Sequence, residues 1–229
     1  MASKKSSEFA DFLVKLAASK VAPAKPDTRR ERKYFLIVSE GKRTEPIYFE
    51  LLAEKLPKNL VDTIDVKGTG VNTLSVVKNA IDHRNKRNQN PELPPYDEVW
   101  AVYDKDDFPD KNYHDAIDLA GREGIYSAHS NESFELWYIL HFEYLQSALK
   151  RTDYITKLSK HLGVKYTKNS RKITELIQKQ GDLKQAILRA VKLEKLHENR
   201  KPAAACPTTK VYILVERLMA HIENRKSAY

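Results

Sequence analysis

Tyr34-Phe-Leu-Ile-Val38 runs into Ser39-Glu40-Gly41, and Val99-Trp-Ala-Val-Tyr103 runs into Asp104-Lys105-Asp106-Asp107. Two apolar runs, each ending in acid, read as two strands whose carboxylates emerge at the strand ends. In a parallel α/β sheet such residues meet at one rim, where these sheets usually hold ligands.

Outward from these runs the chain alternates. Strands are expected near 33–39, 60–67, 97–103 and 124–129. Helices are expected at 46–56, 72–88, 111–122 and 134–149. Pro46 suits a first helical turn, where its missing N–H is not needed. Leu74, Val77 and Ile81 share one helical face. Four successive β-α units imply an α/β fold: a mostly parallel sheet flanked by helices. From about 150 the pattern is helical, at 151–162, 171–178, 182–197 and 208–224. Gly163, Gly181, Pro202 and Pro207 punctuate it. Three regions result: an N-terminal helix (8–18) and Pro-bearing linker in 1–32, the α/β domain in 33–149, and a basic C-terminal helical appendage in 150–229.

Charge follows the same division. Residues 1–32 carry 8 Lys/Arg against 4 Asp/Glu, 33–149 carry 13 against 20, and 150–229 carry 19 against 7. An acidic centre between basic flanks suits carboxylates that hold a cation and basic parts that neutralise phosphates. Nucleic acid, DNA or RNA, is the partner this implies. A solvated Lys-rich surface gives the same count. No run approaches the roughly 18 apolar residues of a membrane span. The one cysteine, Cys206, excludes an intramolecular disulfide and a cysteine-rich zinc site. A cytoplasmic setting is expected. Seven histidines show no zinc-hydrolase spacing.

Glu40 is a candidate base or metal ligand at the rim. If the backbone remains extended, Asp104 and Asp106 share a face and reach one cation, Mg²⁺ or Mn²⁺, with Asp107 adding charge. Glu45 serves either the helix dipole or a second metal. Lys42 and Arg43 contact a scissile phosphate or relieve repulsion among the acids. Thr73 closes a Gly-rich turn, as helix cap or phosphate contact. His129, Asn131 and Glu135 follow the fourth strand and are candidates to hold substrate, with Asn131 or Ser133 alternatively capping a helix. Lys165, Lys168, Arg171 and Lys172, with Tyr166, form a basic and aromatic patch suited to stacking and phosphate binding.

Ile37-Val-Ser-Glu-Gly-Lys-Arg-Thr-Glu-Pro-Ile-Tyr-Phe49 resembles the opening motif of the RloB family. So do Tyr103-Asp-Lys-Asp-Asp-Phe-Pro109, Ser130-Asn-Glu-Ser-Phe-Glu-Leu-Trp-Tyr-Ile-Leu-His-Phe142 and Pro207-Thr-Thr-Lys-Val-Tyr212. The resemblance runs from about 33 to 218. RloB proteins resemble Toprim-type metal nucleases of restriction-associated and abortive-infection loci, often with a partner ATPase. The resemblance implies a Toprim-like fold, with Glu40 at the lone glutamate and Asp104 and Asp106 at the DxD. Glu132 departs from the small residue or Pro expected there.

The expected activity is metal-dependent cleavage of DNA or RNA. A non-catalytic sensing module and a nucleotidyl-transfer enzyme on the same rim are the alternatives. A homo-oligomer is compatible with the sequence.

Overall fold

The expected alternation is present in the computed structural model, which describes residues 33–56, 61–69, 72–107 and 109–223. The strands are β1 (Lys33–Ser39), β2 (Val61–Gly68), β3 (Glu98–Asp104) and β4 (Tyr126–Asn131). Between them run α1 (Thr44–Ala53), α2 (Thr73–Asn88) and α3 (Asp110–Arg122), and α4 (Glu135–Leu140) follows β4. Then come α5 (Arg151–Leu162), α6 (Arg171–Gln180), α7 (Leu183–Leu196), a 3₁₀ turn (Pro202–Ala204), β5 (Thr208–Thr209) and α8 (Val211–Glu223). The expected 8–18 helix and its linker lie outside the described residues.

The sheet order is β2-β1-β3-β4-β5. The first four strands are parallel, and β5 runs antiparallel to β4 through Ser130–Thr209 and Asn131–Thr208. The fold is therefore α/β, a mostly parallel sheet flanked, among the described residues, by eight α-helices. The order of strand addition reverses between β1 and β3, whose carboxyl ends flank the crevice where open α/β sheets bind ligands. Glu40 and Asp104 stand on the two sides of that crevice.

The apolar runs are continuous because both faces of β1 and β3 are covered. Phe35, Ile37, Trp100 and Val102 face a core shared with α1 and α4. Leu36, Val38, Ala101 and Tyr103 face the other layer, where Val76, Val77, Tyr113 and Ala116 of α2 and α3 close over them. The C-terminal helices are integral to the first layer. Tyr154, Leu158, Ile177, Leu193, Leu214 and Leu218 pack in the same core as Trp137. Full burial of one such aliphatic side chain is worth about 1.5–3 kcal/mol, so this packing holds 151–218 firmly against the sheet.

Two local features differ from the expectation. The helix foreseen over 134–149 stops at Leu140. Its terminal carbonyls take tertiary partners: Arg189 Nη1 donates to Leu140 O at 2.7 Å, and the Asp182 amide donates to His141 O at 2.9 Å. The two-residue β5, inside the stretch read as wholly helical, carries too little periodicity to be seen in sequence.

Candidate active site

Glu40 leaves β1 half-buried, and its Oε2 accepts a hydrogen bond from the Asp104 amide at 3.3 Å. Asp104 closes β3, and its Oδ2 accepts from the Phe134 amide at 3.1 Å. The Thr73 hydroxyl donates to the Asp104 carbonyl at 3.3 Å. Three βα junctions thus converge on one aspartate. Glu45, in the first turn of α1, is only 6% exposed, and its Oε2 is buried with no hydrogen-bond partner. Its carboxylate lies against Gly41, where a Cβ would stand 1.9 Å from that oxygen. Glu135, in the first turn of α4, is 3% exposed. Its Oε1 accepts from Tyr166 Oη at 3.2 Å and from Lys168 Nζ at 2.8 Å.

These four carboxylates feel one another. Burial is the main cause that raises each of three pKa values, since desolvation disfavours the charged form. Glu40 is pushed up to about 7, with the Asp104 amide and Arg151 opposing and Glu45 reinforcing the rise. Glu45 is pushed up to about 7, reinforced by Glu135 and opposed by backbone amides and Lys168. Asp104 is raised well above the usual carboxylate range, with Glu45, Glu135 and Glu40 adding to desolvation. Such a cluster retains protons that isolated carboxylates would have released, and a bound cation would take their place.

The structure sorts the expected residues. Glu40, Glu45, Asp104 and Glu135 come together. Asp106 does not share a face with Asp104, because the strand ends at Asp104 and Asp106 turns to φ +47. Its carboxylate pairs with Arg151 instead. Asp107 is exposed. Among the described residues, no group of three His, Cys, Asp or Glu side chains is placed so as to hold a metal ion. Lys42 and Arg43 are exposed on the β1–α1 loop, beside the cluster.

Other candidates have structural employment. Thr73 is buried on Asp104, and Asn72 caps α2 by accepting from the Ser75 amide at 3.1 Å. His129 is buried, stacks on Tyr103 and hydrogen-bonds Ser127 through Nδ1 at 2.9 Å. Burial pushes it down to about 3, with Lys210 also lowering it, so it is neutral at physiological pH. Asn131 is buried and caps no helix; its Nδ2 donates to Pro202 O and Ala203 O at 3.2 and 2.9 Å. Ser133 does not cap α4 either. Tyr166 is buried with its hydroxyl on Glu135, which removes it as a base-stacking platform. Arg171 is engaged by Glu54 and Glu175. Lys165 and Lys172 are exposed, and Lys168, also exposed, is engaged by Glu135.

Arg151 and the Thr44–Asn169 pair were not foreseen. Thr44 Oγ1 donates to Asn169 Oδ1 at 2.9 Å and accepts from the Asn169 amide at 3.2 Å, tying the α5–α6 loop to the rim. A signal for Arg151 existed: Lys150 and Arg151 open α5, where positive charge opposes the helix dipole. Asp153 in the first turn of α5 offsets part of that charge, and Asp106 pairs with Arg151 from outside the helix.

Fold and site together define an α/β protein with a buried carboxylate cluster at the switch point of a parallel sheet, faced by basic side chains from a helical C-terminal region. The family model for RloB-like protein matches residues 35–218, from β1 into α8. The chain belongs to the RloB-like family. No curated protein and no solved structure matches it. Among the described residues, no helix is long and apolar enough to cross a membrane.

Proposed function

We propose that this chain is a Toprim-type, divalent-metal-dependent phosphodiesterase that cleaves DNA or RNA. The observation that carries the reading is the convergence of Glu40, Glu45, Asp104 and Glu135 at the switch point, with Glu45 Oε2 buried and unpartnered. An all-carboxylate donor set with an orphaned oxygen fits a hard cation such as Mg²⁺ or Mn²⁺. Glu40, Asp104, Glu45 and Glu135 are the residues that would hold it. Bound there, the ion supplies Lewis acidity toward a phosphate oxygen and relieves the repulsion among the acids.

The protein groups divide the remaining work. Lys42 and Arg43 lie exposed beside Glu40 and neutralise phosphates flanking the scissile bond. Glu40, the least buried of the four acids and raised toward neutrality, is the candidate base for the attacking water. The Phe134 and Asp104 amides hold the Asp104 and Glu40 carboxylates in place, so that little reorganisation is needed during reaction. Exposed Lys165, Lys168 and Lys172 extend the basic surface along the polynucleotide.

The family resemblance extends this reading to anti-phage defence by abortive infection in the cytoplasm, under control of a partner ATPase. The purified chain, incubated with supercoiled plasmid, single-stranded DNA and tRNA, is expected to cleave at least one of them with Mn²⁺ or Mg²⁺ and none in EDTA. Cleavage that survives in the Glu40→Ala, Asp104→Ala double variant would refute the assignment. Tight nucleic-acid binding without turnover would favour the sensing module instead.

A further inference from the structure

Glu135 is almost wholly buried, yet the ammonium seated on it comes from a side chain 45% exposed. Lys168 Nζ lies 2.8 Å from Glu135 Oε1. The loop that carries Lys168 is anchored by its neighbours rather than by this contact. Tyr166 is buried, with its hydroxyl on the same Glu135 oxygen. Asn169, at φ +61, exchanges two hydrogen bonds with Thr44. Lys168 can therefore swing into solvent on its flexible four-carbon stem while the loop stays in place.

Its electrostatic role is equally specific. The Lys168 charge opposes the rise of Glu45, whereas Glu135 drives both Glu45 and Asp104 upward. Arg151 also opposes the rise of Glu40, but its guanidinium pairs with Asp106 beyond the end of β3. Lys168 thus places an ammonium in direct ion-pair contact with one carboxylate of the cluster. A divalent ion carries twice its charge and approaches carboxylates more closely, so the two compete for the same acids.

We propose that Lys168 is a built-in counter-cation of the cluster, seated on Glu135 until a divalent cation displaces it. The inference rests on the metal-dependent reading above and adds a regulatory step to it. Cation loading and release of a phosphate-binding ammonium become one event, which links substrate capture to metal occupancy.

The test is calorimetric titration of Mn²⁺ into the chelator-treated full-length chain. Lys168→Gln is expected to tighten Mn²⁺ binding about tenfold, the order of one partly buried ion pair. Lys168→Arg, whose guanidinium grips a carboxylate through two bonds, is expected to weaken it by about threefold. Lys160→Gln, an exposed change on α5 rather than on the loop after it, controls for net charge and should stay within about twofold of wild type. Unchanged or weaker binding in Lys168→Gln overturns the proposal, as does a Lys160→Gln effect of the same size. If wild type cleaves nucleic acid but Lys168→Gln binds Mn²⁺ no better, the exchange fails and the phosphodiesterase stands. If the affinities shift as expected without cleavage of any substrate, the exchange stands and the phosphodiesterase falls. Absence of Mn²⁺ binding by wild type overturns both.

Discussion

Glu40 Oε2 accepts a hydrogen bond from the backbone amide of Asp104 at 3.3 Å, joining the carboxyl ends of β1 and β3. The two residues are 64 positions apart in sequence and adjacent at the reversal of strand order. The bond places one acid without neutralising either. It leaves both carboxylates available to a shared cation.

The first prediction concerns these two acids. Glu40→Gln keeps an acceptor for the Asp104 amide, and Asp104→Asn keeps one for the Phe134 amide. Both variants should retain the wild-type circular dichroism spectrum. Each should lose cleavage by about 10²–10³-fold, the usual cost of removing a base or a positioned charge. Unfolding of both variants would show the carboxylates to be structural.

A second prediction ranks the acids by convergence rather than by sequence motif. Glu135→Gln should cost at least about tenfold in cleavage, because Glu135 is buried beside Asp104 and Glu45. Asp107→Asn should change cleavage by less than about twofold, because that residue is exposed and outside the cluster. Surface changes of that kind are usually near neutral. The reverse ranking, measured as initial rates at saturating Mn²⁺, would restore the acidic run after β3 as the centre of the site.

How far the site was legible in sequence follows from where each residue sits. Glu40 and Asp104 could be read because they end long apolar strands, and a parallel sheet brings such ends together. Asp106 misled because the period-two argument holds only while the backbone is extended, and β3 stops at Asp104. Glu45 was ambiguous because a first-turn glutamate is a common helix-dipole partner, and Glu135 was read only as a substrate contact; tertiary packing alone shows both buried. Tyr166, read as a stacking surface, faces inward because its hydroxyl finds Glu135. The four parallel strands and most helices were visible from periodicity. The end of α4 was not, since its terminal carbonyls are satisfied by α7 and the residues just before it.

The third prediction is a pH dependence of stability in the chelator-treated protein. Glu45 has its carboxyl raised from 4.5 to about 7 by burial. The folded state therefore holds a proton that the unfolded chain has already released. The stabilisation from this group is full below about pH 4.5 and is lost as pH rises through about 7. Glu40 shifts in the same direction. The unfolding free energy is expected to fall between pH 5 and pH 8 by on the order of a few kcal/mol. Glu45→Gln should flatten that slope, and millimolar Mg²⁺ or Mn²⁺ should recover the loss at pH 8 by binding the folded state alone. Urea denaturation at several pH values measures it. A wild-type slope equal to that of Glu45→Gln would mean that the carboxyl is not held protonated by burial.

The fourth prediction tests the contact that buries Glu45. A Cβ on Gly41 would stand 1.9 Å from Glu45 Oε2, so Gly41→Ala must push that carboxylate out of its place. Overpacking of this kind costs about 1–3 kcal/mol, and here it also moves a proposed ligand. Gly41→Ala is expected to lower both the melting temperature and the divalent-cation affinity. Shortening the obstructing side chain removes the clash, so Gly41→Ala combined with Glu45→Ala should be less destabilised than the two single effects summed. A coupling of about 1 kcal/mol or more in that cycle fits residues in direct contact. Gly68 behaves differently, because a Cβ there would meet Gly41 O and the Lys42 backbone at 2.7 Å. No side-chain truncation relieves a backbone clash, so Gly68→Ala should displace the β1–α1 loop and resist rescue by Glu45→Ala. Additive stabilities in the Gly41 cycle, or rescue of Gly68→Ala, would show that Glu45 does not pack against the turn after β1.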